Sequence, residues 1–449
     1  MVADPTLKLA IVEALSKALL TDPVPANRSY AARALAQQGE AAIPSLCKAL
    51  NQEQNSAVRN RIIRILGTLK PVAVPKRLEA PLLDKPFIEM ETSINTTKIN
   101  TKRQNKIAES AKTMHILHLS DLHFGTSENA QLWYSQLAED LHQELQCSQL
   151  DALILSGDIT NRATTEEYEA ARQFLYDLCL EFQLKPKQLV IVPGNHDLHW
   201  PTAEDAYTPV RRRDYQGKAD ESTVIDTGGS YIEVKNPQQY QQRFAHFSQF
   251  YQAVSRQPYD LDPAQQYTLH PFPEHKLLVL GLNSAWQLDH HYRSRAAINP
   301  LALSNALNAI NQIGGYQDWL KLAVWHHPLH SPGEDRITDG GFMERLAVNG
   351  FRFALHGHIH TARTELYRYD QNIKGRKIDL ICAGTFGAST QELVPGYPWQ
   401  YNLLRLQEQE LIVETRCREE ENRAWKPDSR WLSELGSDPQ PRYRIRYRE

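Results

Sequence analysis

The chain has 449 residues, which is long enough for more than one domain with at least one substantial core. Its hydrophobic content of 41% and charged content of 23% are ordinary for a globular protein, and a net charge of −3 excludes a global electrostatic attraction to nucleic acid or anionic membranes. We expect no membrane association and a cytoplasmic location, because no apolar run approaches a membrane span of ~18–20 residues, the N-terminus lacks a signal-peptide pattern, and the five scattered cysteines favour a reducing compartment.

Residues 1–78 carry an internal repeat of helical character. The segment Leu15–Leu19 recurs 31 positions later as Leu46–Leu50, and Arg28 recurs as Arg59 at the same shift. This period, with Ala and Leu at helical spacing, resembles HEAT-type repeats, which bury their apolar faces only by stacking. The resemblance implies a module that leans on the rest of the chain or on a protein partner. The alternative is a helical cap without a binding role.

Residues 79–113 are polar and lack apolar periodicity, which predicts a linker. From 114 to 449, short apolar runs alternate with helical patterns, as expected for an α/β catalytic domain with strands inside and helices outside. The predicted strands are His115–Leu119, Ala152–Leu155, Leu189–Val192, Leu277–Leu282, Leu322–Trp325, Arg352–Leu355, Ile378–Cys382, Leu403–Leu406 and Leu411–Thr415. The predicted helices are 129–146, 164–183, 238–255, 300–313 and 341–349. The long polar interval 200–272 is predicted to be an insertion on the active-site side.

Residues with the chemistry of metal ligands follow five of the predicted strands. They are Asp121 and His123; Asp158; Asn195, His196 and Asp197; His326 and His327; and His356, His358 and His360. Open α/β sheets bind ligands in the crevice at the carboxyl ends of their strands. Residues two apart in an extended chain point to the same side, so Asp121 and His123 can converge on one ion. The glycines at 157, 194 and 357 permit sharp turns beside these residues.

These motifs resemble, in order, those of the calcineurin-like metallophosphoesterases. Asp-x-His, Gly-Asp, Gly-Asn-His-Asp, His and Gly-His-x-His cover residues 114–360. The resemblance implies an α/β (α+β) fold of four layers, a β-sandwich flanked by helices, and a binuclear metal site. Carried over by position, the first ion takes Asp121, His123, Asp158 and His360, and the second takes Asp158, Asn195, His326 and His358. Asp158 would bridge the two ions, and His326 is preferred to His327 because it lies two residues before Pro328.

The donor types favour two divalent transition-metal ions. Imidazole, carboxylate and amide donors suit Mn, Fe, Zn or Ni better than Mg or Ca. Two such ions, balanced by Asp121, Asp158 and a bridging hydroxide, keep a residual positive charge that attracts a phosphate ester. The hydroxide is the expected nucleophile. His196, next to Asn195, is the best candidate to protonate the leaving oxygen, and Asp197 is predicted to orient it.

The motifs also bear on the substrate. Residues 157–163 differ from the Gly-Asp-x-x-Asp-Arg-Gly of Ser/Thr protein phosphatases in this superfamily. Asp-Leu-His-Phe-Gly, Gly-Asp-Ile-Thr and His-His-Pro more closely resemble the cyclic-nucleotide phosphodiesterase-like branch. The resemblance implies metal-dependent hydrolysis of a phosphodiester, with a cyclic nucleotide or nucleic acid as candidate substrates. The alternatives are a nuclease, a broad phosphomonoesterase, or a regulatory protein whose HEAT-like module matters and whose metal site is vestigial.

Two basic segments are candidate substrate contacts. Arg211, Arg212 and Arg213 in the insertion are predicted to line the rim of the site and to hold a phosphate by bidentate hydrogen bonds. The segment Arg442–Arg448 alternates arginine with Tyr or Ile, so one face of a strand would carry only arginine. Such a face either follows a nucleic-acid backbone or keeps an edge strand soluble, and the second interpretation is favoured.

Overall fold

The computed structural model describes residues 5–21, 42–52, 113–217, 220, 223–331, 335–370, 375–431 and 440–447, with a few further N-terminal residues (28, 31–32, 34–35, 58 and 62). The chain divides into two compact units, Met1–Ile107 and Ala108–Glu449. Except for residue 113, the predicted linker lies outside the described residues, as does most of the third predicted repeat at 57–78.

The N-terminal unit contains helices α1 (Pro5–Thr21) and α2 (Ile43–Gln52). Its buried aliphatic side chains form one apolar cluster, with members Val12, Leu19, Ala31, Ala32, Leu35, Ala42, Leu46, Ala49, Val58 and Ile62. The Ser16 hydroxyl donates a hydrogen bond to the Ser45 hydroxyl at 2.7 Å and so ties the two helices together. The spacing of Leu46 and Ala49 on α2 is the helical period that the repeat predicted.

The strands of the second unit are β1 (Met114–Leu119), β2 (Ala152–Ser156), β3 (Leu189–Val192), β4 (Tyr207–Arg211), β5 (Val224–Ile225), β6 (Tyr231–Lys235), β7 (Tyr267–Phe272), β8 (Leu277–Leu282), β9 (Leu320–Val324), β10 (Phe351–His356), β11 (Ala362–Arg368), β12 (Lys377–Ala383), β13 (Trp399–Leu406), β14 (Glu410–Arg418), β15 (Lys426–Pro427) and β16 (Arg442–Arg446). The helices are α3 (Ser127–Gln143), α4 (Thr165–Glu181), α5 (Trp200–Asp205), α6 (Pro237–Gln241), α7 (Ala245–Ser255), α8 (Pro300–Ile313) and α9 (Gly341–Val348). Each predicted strand is present, and the predicted helix 238–255 is interrupted by a 3-10 turn, Gln242–Phe244.

Two large sheets contain the strands that carry the predicted ligands. The first has the order β15-β14-β13-β1-β2-β3, with β16 also paired to β14, and the second has the order β11-β12-β10-β9-β8-β7. Strands β1, β2 and β3 run parallel, as do β8, β9, β10 and β12. Within each sheet, the carboxyl-terminal ends of the parallel strands therefore lie on the same side. The predicted ligands follow the strands there.

Alternating residues of the two sheets face different layers. Inward-facing side chains from both sheets form a single apolar cluster, which includes Ile116, Ile154, Val190, Val279, Val324 and Leu355. On the other face of the first sheet, Leu117 and Leu153 belong to a cluster shared with α3, α4 and α7. On the other face of the second sheet, Leu278 and Leu280 pack in a cluster with α8 and α9. The arrangement is a β-sandwich between helical layers, which confirms the predicted four-layer α/β fold.

Local sequence explains where the outer helices begin. Thr164 and Glu167 form a capping box at the start of α4, in which each side chain accepts a hydrogen bond from the other residue's backbone N–H. Asn299 caps α8 through the backbone N–H groups of Leu301 and Ala302, with Pro300 at the first helical position. Within the described ranges, no helix has both the length and the apolar character that a membrane crossing requires.

The predicted insertion contains more regular structure than its sequence indicated. Strands β4, β6 and β5 form a separate three-stranded sheet in that order. The last strand of the interval, β7, pairs antiparallel with β8 at the edge of the second large sheet, with Pro271 opposite Leu278. A proline is tolerated there because an edge strand leaves half of its N–H groups without a ladder partner. Strand β7 was not predicted, because the interval 200–272 is polar and its sequence has few strand signals.

Candidate metal centre

Backbone hydrogen bonds bring the predicted ligands together at the carboxyl-terminal ends of the strands in both sheets. The Asp121 N–H donates to the Gly157 carbonyl at 3.0 Å, and the His123 N–H donates to the Asp158 carbonyl at 3.1 Å. The pairing of β1 with β2 thus continues into the loops that follow them. From the second sheet, the His358 N–H donates to Oδ2 of Asp121 at 3.0 Å. A buried carboxylate of one sheet is therefore fixed by a loop of the other.

Five of the predicted ligands adopt left-handed backbone conformations. The residues and their φ values are Asp121 at 51°, His123 at 48°, Asp158 at 52°, His358 at 73° and His360 at 54°. Such values are uncommon outside glycine and cost of order 1–3 kcal/mol each in sparsely populated regions. Their clustering indicates that the surrounding structure holds these side chains in imposed directions, as is usual at functional sites.

Gly194 lies close to the carboxylate of Asp158. A Cβ atom at residue 194 would lie 2.1 Å from Oδ1 of Asp158 and 2.6 Å from its backbone nitrogen. Only glycine allows the two loops to approach this closely.

We expect Gly194→Ala to weaken metal binding by about 10- to 100-fold, because overpacking by one methyl group costs about 1–3 kcal/mol and here displaces a ligand. Isothermal titration with Mn²⁺ measures the change. Gly340→Ala is the matched control, since its added methyl group meets no atom within 4 Å. Equal Mn²⁺ affinity in the Gly194→Ala variant and the wild type would contradict the close-approach argument.

The first group of ligands contains Asp121, His123 and His360. One donor atom from each lies within 4.8 Å of the others. Nε2 of His360 lies 3.2 Å from Oδ1 of Asp121, and the rings of His123 and His360 meet edge to face with centroids 5.6 Å apart. This is the set predicted for the first ion, apart from the shared carboxylate.

The second group is arranged around Asp158. Nε2 of His326 lies 3.0 Å from Oδ2 of Asp158 and 3.2 Å from Nδ1 of His358. Donor atoms of Asp121, Asp158 and His326 also fall within 4.8 Å of one another, so Asp121 is common to this set and to the first group. The amide oxygen of Asn195 is buried and has no hydrogen-bond partner among the described residues. It is therefore available as a ligand of the second ion.

Three of the imidazoles are oriented by carbonyl oxygens. Nδ1 of His326 lies 2.7 Å from the Ser156 carbonyl, and Nδ1 of His360 lies 2.9 Å from the Glu392 carbonyl. Nδ1 of His123 lies 3.2 Å from the side-chain oxygen of Asn161. Because an oxygen acceptor requires the proton on Nδ1, the lone pair that can bind a metal ion is on Nε2 of each ring. This is the usual arrangement of metal-ligating histidines. Nε2 of His123 is buried and has no hydrogen-bond partner in the described part of the chain.

The buried carboxylates of the two groups favour positive charge beside them, as the pKa values of the neighbouring histidines show. Burial lowers the pKa of His326, but the Asp158 carboxylate outweighs it and the pKa rises to about 9. Burial also lowers the pKa of His360, but the hydrogen bond to Asp121 raises it by more, and the pKa rises to about 9. Burial and the His326 charge lower the pKa of His358 to about 4, so its ring stays neutral and available as a ligand. Buried carboxylates, imidazoles and a free amide oxygen are donors that fit divalent transition-metal ions, and bound ions would replace the protons on the His326 and His360 rings.

His196 lies beside this cluster, on the side of the first group. Its ring meets that of His123 edge to face with centroids 4.8 Å apart, and its Nδ1 lies 2.8 Å from the Asn161 carbonyl. Its backbone N–H donates to Oδ1 of Asp158 at 2.8 Å. Burial lowers the pKa of His196, but the Asp158 charge and the Asn161 carbonyl raise it by more, so the net change is an increase.

Asp197 has a different environment from the one predicted. Its carboxylate accepts hydrogen bonds from the backbone N–H groups of Gly194 at 2.9 Å and Ile159 at 3.2 Å, and from the Tyr168 hydroxyl at 3.2 Å. Burial, together with the Asp158 charge, raises its pKa to about 6. The ring of His196 is oriented by the Asn161 carbonyl instead. Asp197 ties the two ligand-bearing loops together, and the prediction that it orients His196 is not supported by these contacts.

The neighbouring histidines are held by protein groups. Nδ1 of His327 lies 2.8 Å from the Ser284 hydroxyl, which also accepts the backbone N–H of His326. His356 is buried, and its Nδ1 lies 3.2 Å from the Gly357 carbonyl. His327 also forms a three-imidazole group with His326 and His358, but that group contains no carboxylate. The roles of Ser284, Asn161 and the Glu392 carbonyl were not predicted from the sequence, because none of them belongs to a ligand motif.

The basic segments do not join the cluster. Arg212 pairs with Asp226, Arg213 with Asp214 at 3.6 Å, and Arg211 donates to the Tyr231 hydroxyl at 3.3 Å. None of the described contacts of these three arginines reaches a predicted metal ligand.

Near the C-terminus, β16 is an edge strand, and two of its arginines are paired with the adjacent strand β14. Arg444 pairs with Glu410 at 2.9 Å and Arg442 with Glu414 at 4.0 Å, while Ile445 is buried. This agrees with the edge-strand interpretation.

Comparisons with known proteins agree with both parts of the chain. A family model described as calcineurin-like phosphoesterase matches residues 114–362, and a model for HEAT repeats matches residues 12–91. A search of curated proteins found no match.

Solved structures with weak similarity include TT1561 of Thermus thermophilus, at 13% identity and a TM-score of 0.34 over 65% of this chain and 94% of that one. GAP50 of Plasmodium aligns at 10% identity and a TM-score of 0.37, over 70% and 86% of the two chains. Vacuolar protein sorting 29 from Cryptosporidium parvum aligns at 10% identity and a TM-score of 0.29, over 75% and 99%.

Proposed function

The chain belongs to the calcineurin-like phosphoesterase family, and we propose that it is a phosphodiesterase with two divalent transition-metal ions at the cluster of Asp121 and Asp158. Family membership supports metal-dependent hydrolysis of phosphoesters. We add the preference for diesters, the pair of ions and the assignment of individual residues. HEAT repeats precede the phosphoesterase domain, and they suggest a protein partner.

One observation carries this proposal. Two sets of donor atoms, of which one includes Asp158, share the buried Asp121 carboxylate, and two of their imidazoles are aimed by hydrogen bonds on the opposite ring nitrogen. The first ion would be held by Asp121, His123, Asp158 and His360. The second would be held by Asp158, Asn195, His326 and His358. When bound, such ions neutralise phosphoryl oxygens and lower the pKa of a water molecule, so that hydroxide can attack phosphorus.

His196 supplies the proton for the leaving oxygen in this scheme. Because its Nδ1 hydrogen bonds to the Asn161 carbonyl, an additional proton resides on Nε2. The raised pKa favours that protonated form, which is the form a general acid needs. The Asn161 side chain also contacts His123, so one residue sets the directions of both rings.

The substrate class is proposed from the motifs. Their similarity to the cyclic-nucleotide phosphodiesterase-like branch favours a small phosphodiester, such as a cyclic nucleotide. A nuclease gains no support from the arginine face of β16, since Arg442 and Arg444 are paired with glutamates. We place the protein in the cytoplasm because the described cysteines, Cys147, Cys179, Cys382 and Cys417, are free and buried.

Metal removal and substrate choice test the proposal together. We expect chelator-treated protein to be inactive and to recover on addition of Mn²⁺. Turnover of an aryl phosphodiester should then exceed that of the matching phosphomonoester by at least about tenfold, which is about 1.4 kcal/mol of selectivity. A panel of cyclic nucleotides and single-stranded DNA narrows the class. Protein that holds no divalent ion and turns over no diester would refute the proposal, whereas faster monoester turnover would refute only the diester preference.

A further inference from the structure

A second cluster of donor atoms lies outside the metal centre, in the predicted insertion and the loop after β8. It contains Glu233 on β6 and the adjacent residues His290 and His291. We propose that these three side chains bind one zinc ion, which fastens the insertion sheet to the loop that follows β8.

The distances suit a single small ion. Oε2 of Glu233 lies 2.7 Å from Nε2 of His291 and 3.9 Å from Nε2 of His290. Ligands at zinc bond lengths of about 2.0–2.2 Å lie roughly 3.3–3.6 Å apart at the corners of a tetrahedron. The two distances bracket that range, and the His290 and His291 ring centroids lie 3.9 Å apart, so side-chain rotations that separate the two rings would bring all three donor atoms onto one ion. Two imidazoles with one carboxylate form a donor set that zinc commonly takes in proteins.

A simple ion pair explains only part of the cluster. The short contact between Glu233 and His291 would satisfy both of those groups without a metal. The ring of His290, however, makes no hydrogen bond within the described part of the chain, and its Nδ1 is buried. A half-buried imidazole with no hydrogen bond gains from a polar partner. An ion shared with Glu233 and His291 would give this ring such a partner at Nε2, the nitrogen nearest to Glu233.

The two rings are held in place before any ion arrives. Tyr207 packs edge to face against both, with centroids 5.0 Å from His290 and 4.9 Å from His291. The Tyr207 hydroxyl donates to Asp289 at 2.7 Å, and Asp289 accepts the backbone N–H of His291 at 2.9 Å. These contacts fix the turn that carries the histidines, as the supporting residues of metal sites do.

Charge and exposure are also compatible with metal binding. The side chains of Glu233, His290 and His291 are 29%, 21% and 19% exposed, so the ion has a route from solvent and an open position for water. Lys235 shares the face of β6 with Glu233, but its ammonium group lies over the Tyr240 ring at 4.5 Å from the centroid.

The position of this cluster links two functional regions. The loop after β8 begins near Ser284, whose hydroxyl accepts the N–H groups of His326 and His327. Zinc at Glu233, His290 and His291 would therefore fix the insertion to the same loop that supports a predicted ligand strand. The site adds to the phosphoesterase centre and shares no residue with it.

The test compares zinc content in full-length proteins stripped by chelation, re-equilibrated with excess Zn²⁺ and then freed of unbound metal. We expect Glu233→Gln and His290→Gln to hold one zinc ion fewer per chain than the wild type. Co²⁺ in place of Zn²⁺ should show visible bands of four-coordinate cobalt that both variants weaken. Glu204→Gln, an exposed residue of the same insertion, is the matched control and should keep the wild-type content.

Glu233→Gln preserves the hydrogen bond to His291 while removing the ligand charge, so it remains informative even if His290→Gln does not fold. A thermal melt of each zinc-free protein checks folding, and added Zn²⁺ should raise the midpoint more in the wild type than in Glu233→Gln. Equal zinc content and equal zinc-dependent midpoint shifts in the wild type and in Glu233→Gln would overturn the proposal. Because the comparison counts ions, its outcome is independent of whether the enzyme cleaves diesters.

Discussion

Asp158→Asn is expected to lower turnover of an aryl phosphodiester by about 10³-fold, which corresponds to about 4 kcal/mol of transition-state stabilisation. The substitution keeps the volume of the side chain but removes the charge that we assign as a ligand of both ions. Oδ2 faces His326 at 3.0 Å, and Oδ1 accepts the His196 N–H at 2.8 Å. Asparagine has nearly the same size as aspartate, so the substitution does not alter the packing around these two contacts. Steady-state kinetics at saturating Mn²⁺ and elemental analysis of the purified protein measure the two consequences.

Asp151→Asn provides the matched control at the other end of β2. Asp151 accepts the backbone N–H of His115 at 2.8 Å, far along the strand from the cluster. We expect its turnover to stay within about twofold of the wild type, a difference of about 0.4 kcal/mol or less. An Asp158→Asn protein that keeps both its metal content and its turnover would exclude a shared carboxylate at this position.

His196→Gln is expected to have an effect that depends on the leaving group. An aryl oxide leaves without protonation, so loss of a general acid should slow an aryl diester by less than about tenfold. An alkyl leaving group needs the proton, so loss of the general acid should lower turnover of an alkyl diester by about 10²- to 10⁴-fold, the range typical of general acids. Paired measurements on an aryl diester and an alkyl diester, such as a cyclic nucleotide, give the ratio. A purely structural role for His196 would slow both substrates equally.

His142→Gln is a suitable control for that experiment. His142 lies on α3 and contacts Glu181 at 3.1 Å, so the same chemical change is made away from the cluster. Neither substrate should be affected. If the alkyl and aryl diesters respond alike to His196→Gln, the proton must come from another group or from water.

The ligand-bearing loops could be located from sequence because strands and ligands lie close together in the chain. Each of the apolar runs before Asp121, Asp158, Asn195, His326 and His356 forms a buried parallel strand, and such strands align their carboxyl ends. The convergence of these residues therefore follows from topology without knowledge of any side-chain contact. The fold class was predictable for the same reason.

Contacts that depend on three-dimensional packing could not be predicted. Asp197 follows His196 directly, yet the backbone N–H groups of Gly194 and Ile159 draw its carboxylate to a different place. Similarly, Asn161 gained its role because the loop after β2 pairs with the loop after β1. Sequence adjacency favoured Asp197 as the partner of His196, but backbone donors compete strongly for a buried carboxylate.

The left-handed backbone conformation of five ligand residues limits which metal ions this protein could bind after mutation. Aspartate, asparagine and histidine are enriched at positive φ relative to cysteine and glutamate, although Gln146 and Gln183 of this chain also adopt it. At Asp121, His123, Asp158, His358 and His360, the main chain therefore disfavours sulfur and longer carboxylate donors, in addition to any selection by coordination chemistry. Asn195 and His326 are not among the residues with positive φ. Evolution or engineering of a different ion preference should consequently begin at these two positions.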